Sequence, residues 1–206
     1  MEKNPDFAPV PRSFPGRSGS GNRGCYVIQA VKFIGKEASL EIPGPRVHLR
    51  LISQQETELI RQWRNQDHIR VWFKYSEIIS QDEQQVWWEG YQQRHNDLMF
   101  IIWQQAQARP VGTVALYHID LNAGSAEFGR LIIASADDRG KGLAQEASQV
   151  LLDWARQELS LTRISLEVHL DNAPAIALYR KLGFSELGSC GQFLKMEVRF
   201  PPGQPG

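Results

Sequence analysis

Three strand-like runs follow one another in the middle of the chain and are separated only by short turns. They are residues 98–103 (LMFIIW), 111–119 (VGTVALYHI) and 126–133 (AEFGRLII), with the turn-forming stretches ARP and NAGS between them. Strands joined by connections this short pair antiparallel, because a parallel pair needs a crossover of a dozen or more residues. The sequence therefore predicts an antiparallel meander.

Helix and strand patterns alternate on both sides of this meander. Residues 47–52 (VHLRLI) alternate as a half-buried strand, and two capping boxes, Ser53 with Glu56 and Ser80 with Glu83, open two helices after it. The later elements are a long helix starting near residue 143, a strand at 163–169, a short helix within 172–184 and a last strand at 193–200. The order β-α-α-β-β-β-α-β-α-β predicts an α/β (α+β) fold with a mixed sheet flanked by helices.

The two ends of the chain differ in composition from the rest. Residues 1–24 contain four prolines and four glycines and little apolar surface, so we expect a disordered leader. Residues 25–45 read as an N-terminal extension with at most one strand, placed at CYVIQAVKFIG. The predicted domain spans residues 46–200, followed by a flexible tail at 201–206. A chain of 206 residues suits one domain with an appendage.

Charge and cysteine content exclude several classes of function. The 23 basic and 23 acidic residues cancel, which leaves no electrostatic footprint for a nucleic-acid or membrane partner. Cys25 and Cys190 are too few for a disulfide framework and lack metal-ligand spacing, so we expect no metal and a cytoplasmic location. No apolar run is long enough for a membrane span or a signal peptide.

The stretch DDRGKGLAQEA at residues 137–147 begins a helix with two glycines and two basic side chains. Gly140 and Gly142 remove side-chain bulk where something must approach the main chain. The first turn of a helix leaves N–H groups unpaired and carries the positive end of the dipole, which suits a phosphate. Arg139 and Lys141 add positive charge. A solvated loop with an aspartate as helix N-cap fits the same residues, so both interpretations stay open here.

Two motifs together give the chain a family resemblance. RGKGLA at residues 139–144 and NAPAIALYRKLGF at 172–184 resemble the pyrophosphate loop and the N-x-x-A-x-x-L-Y-x-K-x-G-F element of the GNAT superfamily of acyl-CoA N-acyltransferases. The resemblance covers about residues 46–200. It implies a GNAT-type, mainly antiparallel central sheet flanked by helices, acetyl-CoA as co-substrate without a metal, and direct transfer to an amine in a ternary complex.

The resemblance also implies which residues bind the cofactor. In the family, the loop backbone cradles the pyrophosphate, and the strand before it splays from its parallel neighbour so that the pantetheine arm completes the sheet. Carried over to this sequence, the cofactor-binding residues are Leu131, Ile132, Ile133, Arg139, Gly140, Lys141, Gly142, Leu143, Ala144, Asn172, Ala175 and Lys181.

Three residues are candidates for the proton transfers. The motif match places Tyr179 as the acid that protonates the leaving thiolate, and a core tyrosine is the alternative interpretation. Glu127, beside the apolar Phe128 in the expected cleft, is the first candidate base with a raised pKa, unless it pairs with Arg130. His118 is the rival base.

Residues 63–80 are expected to build the acceptor wall, since the family places its variable acceptor site between the first two helices. Aromatic and bidentate polar side chains together suit a sugar ring or a nucleotide base, although an aromatic helix core explains them as well. The candidate residues are Trp63, Arg64, Asn65, Arg70, Trp72, Tyr75 and Glu77.

The combined interpretation is an N-acetyltransferase that acts on a primary amine of a small molecule. The motifs resemble the branch that acetylates nucleotide-linked amino sugars in the pseudaminic acid pathway, and we predict such an acceptor. They also resemble the ribosomal-protein alanine and spermidine acetyltransferases, but the net basic stretch WRNQDHIRVWFK argues against a polyamine. A protein N-terminal acetyltransferase and a non-catalytic acyl-CoA-binding regulator stay open as alternatives. The oligomeric state stays open, with a homodimer as one alternative.

Overall fold

The computed structural model describes residues 40–201 of the chain. The predicted leader at 1–24, the strand expected at 25–35 and most of the C-terminal tail lie outside the described residues. Between residues 40 and 201, no helix combines the length and the apolar character that crossing a membrane requires.

The described residues form one sheet of eight strands with antiparallel pairing in all but one place. The strands are β1 (Glu41–Pro43), β2 (Val47–Leu51), β3 (Leu98–Gln104), β4 (Arg109–Asp120), β5 (Ser125–Ile133), β6 (Arg163–His169), β7 (Ser185–Cys190) and β8 (Phe193–Arg199). Their order across the sheet is β1-β2-β3-β4-β5-β6-β8-β7, and only β5 and β6 run parallel. The predicted meander is therefore confirmed as β3, β4 and β5.

Five α-helices flank this sheet in the part of the chain that the structure describes. They are α1 (Thr57–Arg64), α2 (Asp67–Arg70), α3 (Gln81–Gln93), α4 (Leu143–Glu158) and α5 (Ala173–Lys181), with 3-10 turns at Gln54–Glu56 and Ala136–Asp138. Both predicted capping boxes form: one opens the 3-10 turn that leads into α1, and the other opens α3. The mixed, mainly antiparallel α/β fold predicted from the sequence is confirmed.

The sequence analysis missed β1, α2 and β7. β1 and α2 are each shorter than the window in which periodicity can be read. β7 is an edge strand whose six residues are all exposed, so it carries no apolar alternation. The one strand in the extension at 25–45 that the structure describes is β1, which lies near its end.

The sheet is covered on both faces, which explains the continuous apolar run of β3. Phe100 and Ile102 belong to a core packed by α4 and α5, whereas Met99 and Ile101 belong to a second core packed by α1 and α3. Alternate residues of a strand point to opposite faces, so a strand buried on both sides is apolar throughout.

The parallel pair β5 and β6 separates soon after it begins. The paired residues are Ser125 with Arg163, Ala126 with Ile164 and Glu127 with Ser165. Beyond them, β5 stays paired with β4 as far as Ile133, while β6 stays paired with β8 as far as His169. A β-bulge at Arg130, which has a φ of 50°, bends β5 just beyond its last pairing with β6. A gap therefore opens in the sheet between two strands that are each held by another neighbour.

Candidate active site

Two cavities meet at the gap between β5 and β6. The larger has a volume of about 560 Å³ and the smaller about 270 Å³. Both are lined by Trp72, Phe73, Leu131, Asn172 and Ala175, so they are continuous with each other. Trp72 and Phe73 come from the loop between α2 and α3 on one face of the sheet, and Ala175 comes from α5 on the other. The gap therefore connects the two faces of the sheet.

The glycine-rich loop borders the larger cavity at the start of α4. Gly142 is the N-cap residue, with a φ of 79° that side chains other than glycine rarely adopt, and no side chain caps the helix. A Cβ on Gly140 would meet no heavy atom within 4 Å, so the space over the loop is open. The first-turn N–H groups have no partner within the helix. This arrangement fits the pyrophosphate of a CoA thioester.

The alternative in which an aspartate caps the helix is wrong. Asp138 is buried, and both of its carboxylate oxygens accept hydrogen bonds from Arg109, at 2.9 and 2.8 Å. This pair fastens the 3-10 turn before the loop to the start of β4. It thereby leaves the N-terminus of α4 uncapped.

The structure brings together the predicted cofactor residues around the larger cavity, with one exception. The residues that line it are Leu131, Ile132, Ile133, Arg139, Gly140, Gly142, Leu143, Ala144, Asn172, Ala175 and Lys181. Lys141 lines a different surface cavity with Arg46 and Gln105, and its ammonium lies 3.9 Å from Asp138. Of the predicted cationic residues, Arg139 and Lys181 therefore line this cavity and Lys141 does not.

Arg139 is held against the end of β5. Its guanidinium donates to the carbonyls of Ile133 and Ala134, at 3.4 and 3.3 Å, and contacts the ring of His68. His68 also lines the larger cavity and was missed in the sequence analysis. Arg139 thus links the loop, β5 and α2.

Asn172 stands at the junction of the two cavities and begins α5. Its Oδ1 accepts a hydrogen bond from the N–H of Ala175 at 3.2 Å, which is an N-cap. The capping role considered from the sequence is therefore present, and it fixes the start of α5 beside the gap.

Tyr179 is both a core residue and part of the smaller cavity. Its ring packs edge-on against Phe128 and Phe184, each at 5.9 Å between centroids, and only 8% of the residue is exposed. Burial raises the pKa of its hydroxyl above the ordinary value, so the proton is retained at neutral pH. Tyr179 also lines the smaller cavity, so a buried side chain that keeps its proton borders the site.

His118 and Glu127, which the sequence analysis treated as rival bases, form a pair. The Nδ1 of His118 lies 3.0 Å from Oε1 of Glu127, and both residues line the smaller cavity. The hydrogen bond from His118 lowers the pKa of Glu127, and the same bond raises the pKa of His118. The expectation of a raised Glu127 pKa is therefore wrong, because the imidazole outweighs burial. Arg130, the other suggested partner of Glu127, donates to buried Asp97 at 2.6 Å.

Three of the predicted acceptor-wall residues hold the loop between α2 and α3 instead of lining the cavity. Arg64 donates to the carbonyl of Tyr75 at 3.2 Å, and Arg70 donates to that of Ser76 at 2.7 Å. Asn65 bonds both the N–H and the carbonyl of Ile79, each at 2.8 Å. These side chains therefore form hydrogen bonds with backbone groups of the loop. The sequence alone does not show that those groups lie near them.

The other wall candidates are also reassigned, apart from Trp72. Trp63 is buried in the core under α1 and α3, in line with the helix-core alternative. The hydroxyl of Tyr75 donates to Glu83 at 3.4 Å, and Glu77 is exposed and lines neither cavity. Only Trp72 of the predicted wall lines the site.

The wall of the smaller cavity contains Phe73 and Lys74, which sequence reasoning did not select, and Glu167, which is a weaker candidate base on the sequence. Phe73 and Lys74 follow Trp72 directly, so adjacency to a site residue was the available signal. Glu167 lies on β6 beyond its last pairing with β5, and its carboxylate contacts the ammonium of Lys74. The smaller cavity is therefore lined by paired charges and aromatic rings.

Comparison with known proteins identifies the family. Residues 46–185 match the family described as Acetyltransferase (GNAT) domain. The chain belongs to this family. A similar protein is the N-acetyltransferase 9-like protein of Caenorhabditis briggsae, at 26% identity over 156 residues, which cover 70% of this chain and 77% of that one.

Solved structures of the same fold include two with named acceptor classes. One is spermidine N-acetyltransferase from Vibrio cholerae in complex with CoA and spermine, with a TM-score of 0.66 and 25% identity, covering 75% of this chain and 95% of that one. The other is FdhC, a nucleotide-linked sugar GNAT, with a TM-score of 0.67 and 22% identity, covering 79% of this chain and 91% of that one. The second likeness shows the fold alone.

Between residues 40 and 201, no group of three or more histidine, cysteine, aspartate or glutamate side chains is placed to hold a metal ion.

We predict that the Glu127→Gln variant has a lower His118 pKa than the parent. The carboxylate favours the imidazolium, so its removal takes away the main cause of the raised pKa. The pKa of His118 is raised and that of Glu127 is lowered, so the stabilisation from this pair is lost as pH rises through the folded His118 pKa and also as pH falls through the folded Glu127 pKa. The measurement is an NMR titration of the histidine rings, with His118 assigned by comparison with His118→Asn.

Glu186→Gln is the matched control, because Glu186 pairs with Arg180 and lines neither cavity. It should leave the His118 titration unchanged. An identical His118 titration in the parent and in Glu127→Gln would contradict the pairing.

Proposed function

We propose that the protein transfers an acetyl group from acetyl-CoA directly to a primary amine. The observation that supports this most strongly is the gap between β5 and β6, where a cavity bordered by an uncapped helix N-terminus meets a cavity bordered by His118 and Glu127. Acyl transfer needs a held thioester, a proton acceptor and a proton donor within one space. The described residues offer groups suited to each.

Backbone groups would hold the cofactor in this proposal. The N–H groups at the start of α4 face the larger cavity and suit the pyrophosphate. The N–H of Ala134 donates to Val111 on β4 at 2.9 Å, so the N–H of Ile133 points to the opposite side, into the gap. A pantetheine amide can therefore pair with β5 as an added strand would. Acetyl-CoA, when bound, supplies the thioester carbonyl that an amine attacks.

Proton transfer would be shared between the two sides of the smaller cavity. Tyr179 keeps its proton because of burial and would donate it to the leaving sulfur. His118 and Glu127 would take a proton from the amine, directly or through water. Their hydrogen bond favours imidazolium with carboxylate, so at a given pH less of the His118 ring is in the neutral form that can accept a proton. The site therefore suits an amine that is partly neutral before it binds.

A polypeptide N-terminus is the acceptor that we propose on these grounds. An α-amino group has a pKa of about 7.7–8.0, against about 10.4 for an alkyl ammonium such as that of lysine, so far more of it is neutral. Among the described residues that line this cavity, Asp97, Glu127 and Glu167 are each paired with a basic side chain, so none of them offers an unpaired carboxylate that would select a polyamine.

The nucleotide-linked amino sugar stays a prediction from the sequence. Its support is reduced because Arg64, Asn65 and Arg70 bind the loop backbone and a cavity of about 270 Å³ is small for such an acceptor. The homodimer and the cytoplasmic location also stay predictions.

The test is CoA release by the purified protein with acetyl-CoA and a panel of amines. The panel contains short peptides with free N-termini, the same peptides with blocked N-termini, amino sugars, nucleotide-linked amino sugars and spermidine. We expect turnover with free N-termini and none with blocked ones. Preference for a sugar or for spermidine would overturn the acceptor, and CoA binding without turnover on any amine would indicate a non-catalytic binder.

We predict that Tyr179→Phe lowers the turnover number by roughly 10²- to 10⁴-fold, the range of positioned acid catalysis, with little change in acetyl-CoA affinity. The change keeps the ring that packs on Phe128 and Phe184 and removes only the hydroxyl. Steady-state kinetics and calorimetric CoA binding measure the two effects.

Tyr91→Phe is the matched control, since Tyr91 is also a buried tyrosine but lines neither cavity. It should keep turnover near that of the parent. A Tyr179→Phe turnover number within about threefold of the parent would remove the hydroxyl from the mechanism.

A further inference from the structure

Lys74 carries a primary amine within the cavity that we assign to the acceptor. It lies in the loop between α2 and α3, directly after Trp72 and Phe73, which line both cavities. Its ammonium contacts the Glu167 carboxylate and lies 5.5 Å from the centroid of the Phe193 ring. A side chain of this chain therefore places the same chemical group there that an acceptor would bring.

Glu167 holds this ammonium on the reacting side of the gap. Its neighbour Ser165 is the last residue of β6 that pairs with β5, so Glu167 lies where the two strands have parted. Glu127, Ser165 and Glu167 all lie on the face of the sheet opposite the buried Ile164 and Leu166. After the hydrogen bond from His118, the positive charge of Lys74 is among the influences that lower the pKa of Glu127. The Lys74 ammonium is thus near the pair that would accept its proton.

The loop that carries Lys74 is fastened on both sides of that residue. Arg64 and Arg70 bind carbonyls of Tyr75 and Ser76, and the ring of Phe73 lies 3.6 Å under the Arg64 guanidinium. An amine tethered in this way reacts as an intramolecular group, and the gain in effective concentration can be large. Tethering offsets the disadvantage of an alkyl ammonium that must lose its proton first.

We propose that the protein acetylates its own Lys74, an inference that rests on the proposed function. The ammonium releases one proton to the His118 and Glu127 pair or to water. The neutral Nζ then forms an amide bond with the acetyl carbon of acetyl-CoA, the C–S bond breaks, and the sulfur leaves as thiolate and takes a proton from Tyr179. Nζ loses its second proton to water as the amide forms, and water returns a proton to the Tyr179 oxygen. The products are Nε-acetyl-Lys74 and CoA, with no oxidant or further reactant.

Acetylation of Lys74 changes the charge of the acceptor cavity. The amide is neutral, so Glu167 loses its closest cation and keeps Lys195, whose ammonium lies 3.8 Å away. The contact that ties the loop to β6 is lost with it. The modified enzyme therefore carries one more net negative charge at the entrance used by the acceptor.

The experiment follows acetylation of individual lysines when the full chain is incubated with acetyl-CoA and no acceptor. Peptide mass spectrometry gives the initial rate at Lys74 and, as an internal reference for uncatalysed acetylation, at Lys141, which lines neither cavity of the site. We expect a Lys74 rate at least about tenfold above this reference, because a tethered and oriented amine gains in effective concentration. The rate constant should not depend on protein concentration, and it should rise with pH because only the neutral amine attacks.

Two variants separate catalysis from simple reactivity. Tyr179→Phe should slow acetylation of Lys74 and leave the rate at Lys141 unchanged. Lys74→Arg should remove the fast phase of CoA release that occurs without acceptor, and should not transfer that phase to Lys195.

The outcomes distinguish this inference from the proposed function. A Lys74 rate equal to the reference rate, together with turnover on peptide amines, would overturn self-acetylation alone. Equal rates without turnover on any amine would overturn both. A Lys74 rate constant that rises with protein concentration would show transfer between chains and would also overturn the inference.

Discussion

The parting of β5 from β6 is the constraint on which the rest of the structure depends. Only three residue pairs join these strands, and each strand is then held by its other neighbour, β4 or β8. The gap is thus stabilised by antiparallel ladders on both sides and needs no ligand to keep it open. Main-chain N–H and C=O groups without a strand partner normally cost free energy when they are buried. Those at the gap face a cavity in which the amides of a cofactor can pair with them.

The two faces of the sheet contribute different parts of the site through this gap. α4 and α5 contribute a glycine-bounded helix start, Asn172 and the Tyr179 hydroxyl. The opposite face contributes the loop after α2, whose shape depends on side-chain hydrogen bonds to its carbonyls. The proposed cofactor side is therefore built from packed elements, and the proposed acceptor side is built from a loop. Loops tolerate more sequence variation than packed elements do.

Features that depend on local sequence were predictable, and features that depend on contacts across the fold were not. The glycine at position 142 and the asparagine at position 172 act on their own helix starts, so their places could be predicted. The role of Asn65 depends on Ile79, which only the folded loop brings near. The pairing of His118 with Glu127 depends on a bulge where His118 has a φ of 49°. No periodic pattern in the sequence predicts this bulge.

The most direct test of the account is residue-resolved amide hydrogen exchange with and without CoA. The central claim is that the cofactor pairs with β5 in the gap, and therefore bonds the N–H of Ile133, which points away from β4. We expect strong slowing of exchange at Ile133 when CoA is saturating and no change at Ala134, whose N–H already donates to Val111. Unchanged exchange at Ile133, with calorimetry showing CoA bound, would contradict the account.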